Sequence, residues 1–187
     1  MFVAAQLVGF AALAACVISY QFKTYRMILL LQVLTTALFM AHFGLLALSG
    51  TQAAWTATVS NAICLIRNLF YYFTRDNHGP FSEKTAAVLK PAFFAVLLIV
   101  FGIATWSSIA SFFCLMAMLL YTVSFSLSDP QKVRVVSLIG IPFMMIYDVM
   151  TGSIAGALNE SIAAASTVVG LWRFHRKDPE PVSGQSD

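Results

Sequence analysis

The hydropathy of the chain divides it into seven apolar stretches, each close to the length that crosses a bilayer as a helix. They run near Phe2–Tyr20, Met27–Leu48, Ala53–Phe73, Thr85–Thr105, Ser107–Ser126, Val133–Met150 and Ser153–Phe174. A spanning helix needs about 20 predominantly apolar residues. Lipid offers backbone N–H and C=O groups no partners, so each stretch that enters it must be helical. Residues are 59% hydrophobic and 10% charged, against about 25% charged in soluble domains. So much apolar surface cannot be hidden inside a globule of 187 residues. The pattern predicts an all-α polytopic membrane domain over 1–177 and a polar, disordered tail over 178–187, with the lipid bilayer as the first partner.

The basic residues test the helix count. Lys23 and Arg26 fall in loop one, Arg75 and Lys84 in loop three, and Lys132 and Arg134 in loop five. Arg173, Arg176 and Lys177 lie at the C-terminal end. With seven helices all nine face one side, which the positive-inside rule makes cytoplasmic. The N-terminus is then outside and the C-terminus inside. Of the remaining two, Lys90 near the start of the fourth helix and Arg67 low in the third are expected to snorkel to the interface. Nothing in this placement calls for a nucleic-acid partner. Leu13-Ala14-Ala15-Cys16 has the outline of a lipoprotein cleavage box, but Met1 to Gln6 lacks a basic residue, which favours a retained first helix. Cys16, Cys64 and Cys114 all sit in apolar runs, as packing residues rather than disulfide or zinc ligands.

The chain also repeats itself. The turns Ser49-Gly50-Thr51 and Thr151-Gly152-Ser153 are near copies, 102 positions apart. At the same offset "NLFYYFTRD" lies over "GLWRFHRKD", and the basic segments "KTYR" and "QKVR" precede the second helix of each unit. Helices one to three match five to seven, with repeat one over about 2–75, a linker helix over about 85–105 and repeat two over about 107–177. Three-helix units keep a common orientation only with one inverting helix between them. A 3+1+3 plan with parallel repeats follows, and such folds place their substrate site at the repeat interface near the midplane.

The segments "GSIAGALNESIAAASTVVGLWRF" with Asp148 upstream, "AHFGLL" and "NAICLIR" resemble the YgjV-type family of bacterial inner-membrane proteins. That family is in turn similar to the SWEET and PQ-loop superfamily in its three-helix repeats. The resemblance implies an inner-membrane, multi-pass protein. PQ-loop proteins carry a Pro-Gln pair late in the first helix of each repeat; here "SYQFKTYR" has Gln21 without proline, and Pro130-Gln131 reads as loop. In SWEET-like transporters an asparagine on the third helix of each repeat helps bind solute, and Asn61 is the match. Its partner at the repeat offset is Ala163, so polar duty in the second repeat passes to Glu160.

Ionisable side chains within a membrane are costly, and they are functional candidates by default. Counting along ideal helices puts Glu160 about 10 Å, His42 about 9 Å, Asn61 about 12 Å and Asp148 about 3 Å below the outer surface, and Arg67 about 9 Å above the cytoplasmic one. His42, Asn61, Asp148 and Glu160 are expected to line one substrate pathway. Each has an ordinary alternative: Asp148 wet at the interface, Asn61 as interhelical glue, His42 as a satisfied structural histidine. Arg67 could instead be a counter-ion to Glu160. Gly152 and Gly156 form a small-xxx-small pair that reads as close helix packing. Trp55, Tyr147 and Trp172 would add walls, with Trp55 and Trp172 equally well explained as interfacial belt residues. Glu160 must face a cavity, pair with a cation or be protonated.

These features lead to a small-solute transporter or facilitator, linked to protons through Glu160 and His42. The alternative is a non-transporting scaffold or sensor. Metal, phosphate-loop and nucleophile motifs are missing from the sequence, so no enzyme, cofactor or metal is expected.

Overall fold

A computed structural model describes residues 1–19, 25–74, 83–127 and 130–175. The described residues form seven α-helices: α1 (Phe2–Ser19), α2 (Tyr25–Leu48), α3 (Ala54–Thr74), α4 (Glu83–Ala104), α5 (Ile109–Ser126), α6 (Pro130–Thr151) and α7 (Ile154–His175). No strand occurs among them. The tail expected over 178–187, and the charges of Lys23, Arg75, Arg176 and Lys177, lie outside the described residues.

Three helices start earlier than in the sequence reading: α2 begins at Tyr25 and takes in Arg26, placed in loop one, and α4 and α6 also begin early. Pro130, placed in a loop, is the first residue of α6, where its fixed φ suits a helix and its missing N–H costs nothing. Lys132 and Arg134 therefore belong to α6, and Lys84 to α4, because these helices extend beyond their apolar stretches. Lys90 does more than snorkel. Its ammonium donates to Thr74 O at 3.2 Å and lies 5.8 Å from the centroid of Phe70, a cation against the negative end of α3.

α2 packs on α1 and α3, and α6 on α5 and α7; α4 touches α3 and α5, while α1 meets α7 and α3 meets α5. The interior is built from small residues such as Ala5, Ala12, Ala57, Ala117 and Ala155, together with Phe43, Leu46 and Tyr147. Large apolar side chains including Phe73, Val88, Val149 and Val169 point outward. Small residues inside and Leu, Ile, Val and Phe outside suit helices packed in lipid, where close approach rather than water exclusion drives association. Cys16, Cys64 and Cys114 are buried and form no disulfide, as packing residues should.

The two helix hairpins turn by the same device. Gly50 has φ 109° and Gly152 φ 70°, the left-handed region that glycine enters without a Cβ penalty. Thr51 N–H donates to Leu46 O at 3.2 Å and Gly50 N–H to Ala47 O at 3.1 Å; Ser153 N–H donates to Asp148 O at 2.8 Å and Gly152 N–H to Val149 O at 3.3 Å. Each of these two bonds in the first turn has its counterpart 102 residues on in the second. The α4–α5 turn is held differently. The Thr56 hydroxyl donates to Thr105 O at 2.9 Å and pairs with the Ser111 hydroxyl at 2.8 Å.

Candidate functional site

The α6–α7 turn is the centre of a polar cluster. Ser153 caps α7, accepting from Gly156 N–H at 3.1 Å, the standard work of a helix N-cap. His42 of α2 reaches the same hydroxyl, with Nε2 2.8 Å from Ser153 Oγ and Nδ1 2.7 Å from Ala5 O of α1. A carbonyl only accepts, so Nδ1 carries the hydrogen. In the neutral ring Nε2 is then the acceptor, and Ser153 donates to it. Gln6 of α1 closes the cluster by donating to Gly152 O at 2.8 Å and accepting from Ala155 N–H at 3.4 Å.

Glycine makes the room for this. A Cβ on Gly9 would lie 2.7 Å from both His42 Nδ1 and Ala155 Cβ, so α1 can pass the imidazole only as glycine. A Cβ on Gly156 would overlap Asp148 Oδ1 and Ser153 Oγ. The two glycines serve differently. Gly152 makes the turn, and the bare face of Gly156 is filled by a carboxyl and a hydroxyl.

Asp148 is 1% exposed, sealed rather than wet. Distance along α6 places it near the helix end, but α7 folds back over it. Neither carboxyl oxygen has a hydrogen-bond partner within ordinary distance. Cys114 of α5, Tyr147 of α6 and Glu160 of α7 all lie within electrostatic reach of it. The two acids of the second hairpin therefore occupy one interior, where two like charges in low dielectric would repel.

Glu160, 7% exposed, accepts from the Tyr121 phenol at 2.6 Å and from Asn159 Nδ2 at 3.4 Å. Tyr121 comes from α5 and crosses α6 at Gly140, where a Cβ would stand 2.8 Å from the ring. Sequence reading missed Tyr121 and Ser153. A tyrosine inside an apolar run reads as core, and a serine after Gly152 reads only as turn.

Arg67 does not snorkel. It is 3% exposed and donates to Thr122 Oγ1 of α5 at 2.7 Å and to Asn68 Oδ1 at 3.3 Å. Asn68 in turn donates to Thr36 of α2 at 3.2 Å. The guanidinium is drawn inward by a hydroxyl of α5 and by the amide oxygen of the next residue on its own helix. The donors seen on Glu160 are Tyr121 and Asn159, whereas Arg67 donates to Thr122 and Asn68. Asn61 donates to Ala57 O of its own helix at 2.9 Å, so this amide bond does not glue helices together. Tyr147 is fully buried, its hydroxyl donating to Ala53 O at 3.0 Å. Trp172 is 64% exposed and Trp55 also faces out, as belt residues do. The structure thus joins His42 to Ser153 beside Asp148 and sets Glu160 within reach, while Asn61 and Arg67 bond elsewhere. Among the described residues no group of three His, Cys, Asp or Glu side chains could hold a metal ion.

Leu30–Leu48, Gln131–Thr151 and Ile154–Trp172 are long and apolar enough to cross a membrane, and Phe2–Ile18, Val88–Ala104 and Ile109–Ser124 are shorter apolar helices. An all-helical membrane protein with a buried acid and histidine cluster is the class that fold and site define. The chain belongs to the YgjV family, described as bacterial inner membrane protein, whose model matches residues 3–178. No curated protein and no solved structure matches it.

Proposed function

We propose that this protein is a small-solute transporter or facilitator of the bacterial inner membrane, linked to protons. In this reading α1–α3 and α5–α7 are parallel repeats around the inverting helix α4, with the N-terminus outside and the C-terminus cytoplasmic. The matched hydrogen bonds of the two glycine turns support the repeat, and the one-sided basic residues support the orientation. His42, Asn61, Asp148 and Glu160 are the pathway residues. They bind and pass on rather than catalyse, and the reading requires no cofactor, metal or nucleic acid.

One observation carries the proposal: two carboxyl groups, Asp148 and Glu160, are buried within electrostatic reach of each other. A pair so costly to keep in a membrane interior points to ion or solute handling. The second reading is a scaffold or sensor, favoured by the way His42 and Gln6 tie α1 and α2 to the α6–α7 turn. Proteoliposomes carrying a panel of small polar solutes decide between them. Uptake that depends on a pH gradient and is lost in Glu160→Gln supports transport. Equal uptake in protein-free vesicles across the panel favours the scaffold.

A further inference from the structure

We infer that Asp148, Ser153 and His42 form a proton relay, with Ser153 passing a proton between the Asp148 carboxyl and His42 Nε2. The inference deepens the proton-linked reading by moving its chemistry from Glu160 to the α6–α7 turn. It rests on that reading only for its purpose, because the relay itself can be observed without transport.

Three features of the geometry point to it. His42 is fully buried and held at Nδ1 by Ala5 O, which leaves Nε2 as the one nitrogen that exchanges a proton. Nε2 faces Ser153 Oγ at 2.8 Å. The Asp148 carboxyl, without a hydrogen-bond partner at ordinary geometry, faces the Ser153 hydroxyl and shares with its Oγ the space that a Cβ on Gly156 would fill. That hydroxyl is therefore between the two titratable groups, fixed there by its capping bond from Gly156 N–H at 3.1 Å.

The step balances within the cluster. The Asp148 O–H bond breaks as its proton passes to Ser153 Oγ. The Ser153 O–H bond breaks as its own proton forms the N–H bond at His42 Nε2. A neutral acid and a neutral imidazole become carboxylate and imidazolium, with the hydroxyl now donating to the carboxylate and accepting from the ring. No proton is gained or lost in the transfer itself, and Nδ1–H keeps its bond to Ala5 in both states; a proton taken up from an acid medium then restores the Asp148 acid beside the imidazolium. The remaining titratable groups near Asp148 are Glu160 from α7, Cys114 from α5 and the neighbouring Tyr147; α1 contributes the uncharged Gln6. A hard cation takes about six oxygen ligands. Here the nearby carbonyls of Asp148 and Gly152 already accept from Ser153 N–H and Gln6, so the proton is the fitting occupant.

Infrared difference spectra, acid minus neutral, of protein in lipid vesicles in H2O and D2O test the relay. Nitrogen-15 labelling of histidine with a His42→Gln reference assigns the imidazole band. The wild type should show a carboxylic C=O band that shifts on deuteration, and a His42 band that changes with it. Asp148→Asn should lose both, and Glu160→Gln should keep both. Ser153→Ala, which removes only a hydroxyl, should keep the carboxylic band and lose the His42 change, and it decides the matter alone if Asp148→Asn does not fold. An unaltered His42 change in Ser153→Ala overturns the relay. So does a carboxylic band lost in Glu160→Gln and kept in Asp148→Asn. A relay seen in spectra without solute uptake puts the transport reading at fault; pH-dependent uptake without the spectral coupling overturns the relay alone.

Discussion

Tyr121 donates to Glu160 at 2.6 Å, joining α5 to α7 across the intervening helix α6. Deleting the phenol in Tyr121→Phe leaves a buried carboxyl oxygen without that donor, which costs about 1–3 kcal/mol. A double-mutant cycle of Tyr121→Phe with Glu160→Ala should give a coupling of about 0.5–3 kcal/mol. Denaturant unfolding in detergent measures it. Additive losses would mean that the bond contributes nothing to the folded state.

Gly140 is the opening through which Tyr121 passes. In an ordinary helix interior, replacing glycine by alanine stabilises by about 1 kcal/mol. Here the new Cβ would stand 2.8 Å from Tyr121 Cε1, so Gly140→Ala should instead destabilise by about 1–3 kcal/mol. In a Tyr121→Ala background the obstacle is gone and the sign should revert. A thermal midpoint raised by Gly140→Ala in the wild type would show that the ring moves aside freely.

Arg67→Lys should be damaging rather than silent. A lysine ammonium cannot reproduce the planar fork that reaches both Thr122 and Asn68, and the loss should be about 1–3 kcal/mol, as for other buried polar groups left short of partners. Thr122→Val, which removes one acceptor, should cost less. Unfolding midpoints of the two variants check the order; a neutral Arg67→Lys would restore the snorkelling interpretation.

The seven helices were legible because their signal is one-dimensional: about 20 apolar residues make a span wherever they occur. Every apolar stretch has its helix, with ends displaced where Pro130, Gln131 and Lys132 carry α6 past its apolar limit. Depth along a helix misled for Asp148 and Arg67, because depth says nothing about which neighbour covers a side chain. Asp148 sits near an end yet is closed over by the hairpin it begins. Arg67 donates to a hydroxyl of α5 and an amide oxygen of α3, and that amide in turn reaches α2. Tyr121 gave no sign in the sequence, since its partner lies 39 positions away and only Gly140 lets the two meet.

Topology has a direct test. A C-terminal reporter should be cytoplasmic, and reporters inserted at Gly50 and Gly152 should both be external. The two glycines occupy equivalent turns, so labelling on opposite faces would break the parallel-repeat arrangement. Cytoplasmic labelling of both would keep the repeat and invert the chain.

Asp148 and Leu46 hold equivalent places, each accepting the turn bond from the residue five positions on, and each is buried. The first repeat thus fills this position with hydrocarbon, and the second with a carboxyl. If the carboxyl serves function rather than folding, Asp148→Asn should leave the unfolding midpoint unchanged or raise it by the equivalent of about 1 kcal/mol, since no ordinary hydrogen bond of the carboxyl is lost. The same variant should abolish pH-gradient-driven uptake, a trade of activity for stability common at functional sites. Leu46→Asp is the reverse experiment. It buries a carboxyl in a turn that lacks a histidine–serine pair, and it also loses the packing of a fully buried leucine. That variant should cost about 3 kcal/mol or more. The comparison needs only purified protein, denaturant and one spectroscopic probe. If Asp148→Asn unfolds as readily as Leu46→Asp, the carboxyl holds the hairpin together and its place in the pathway is lost.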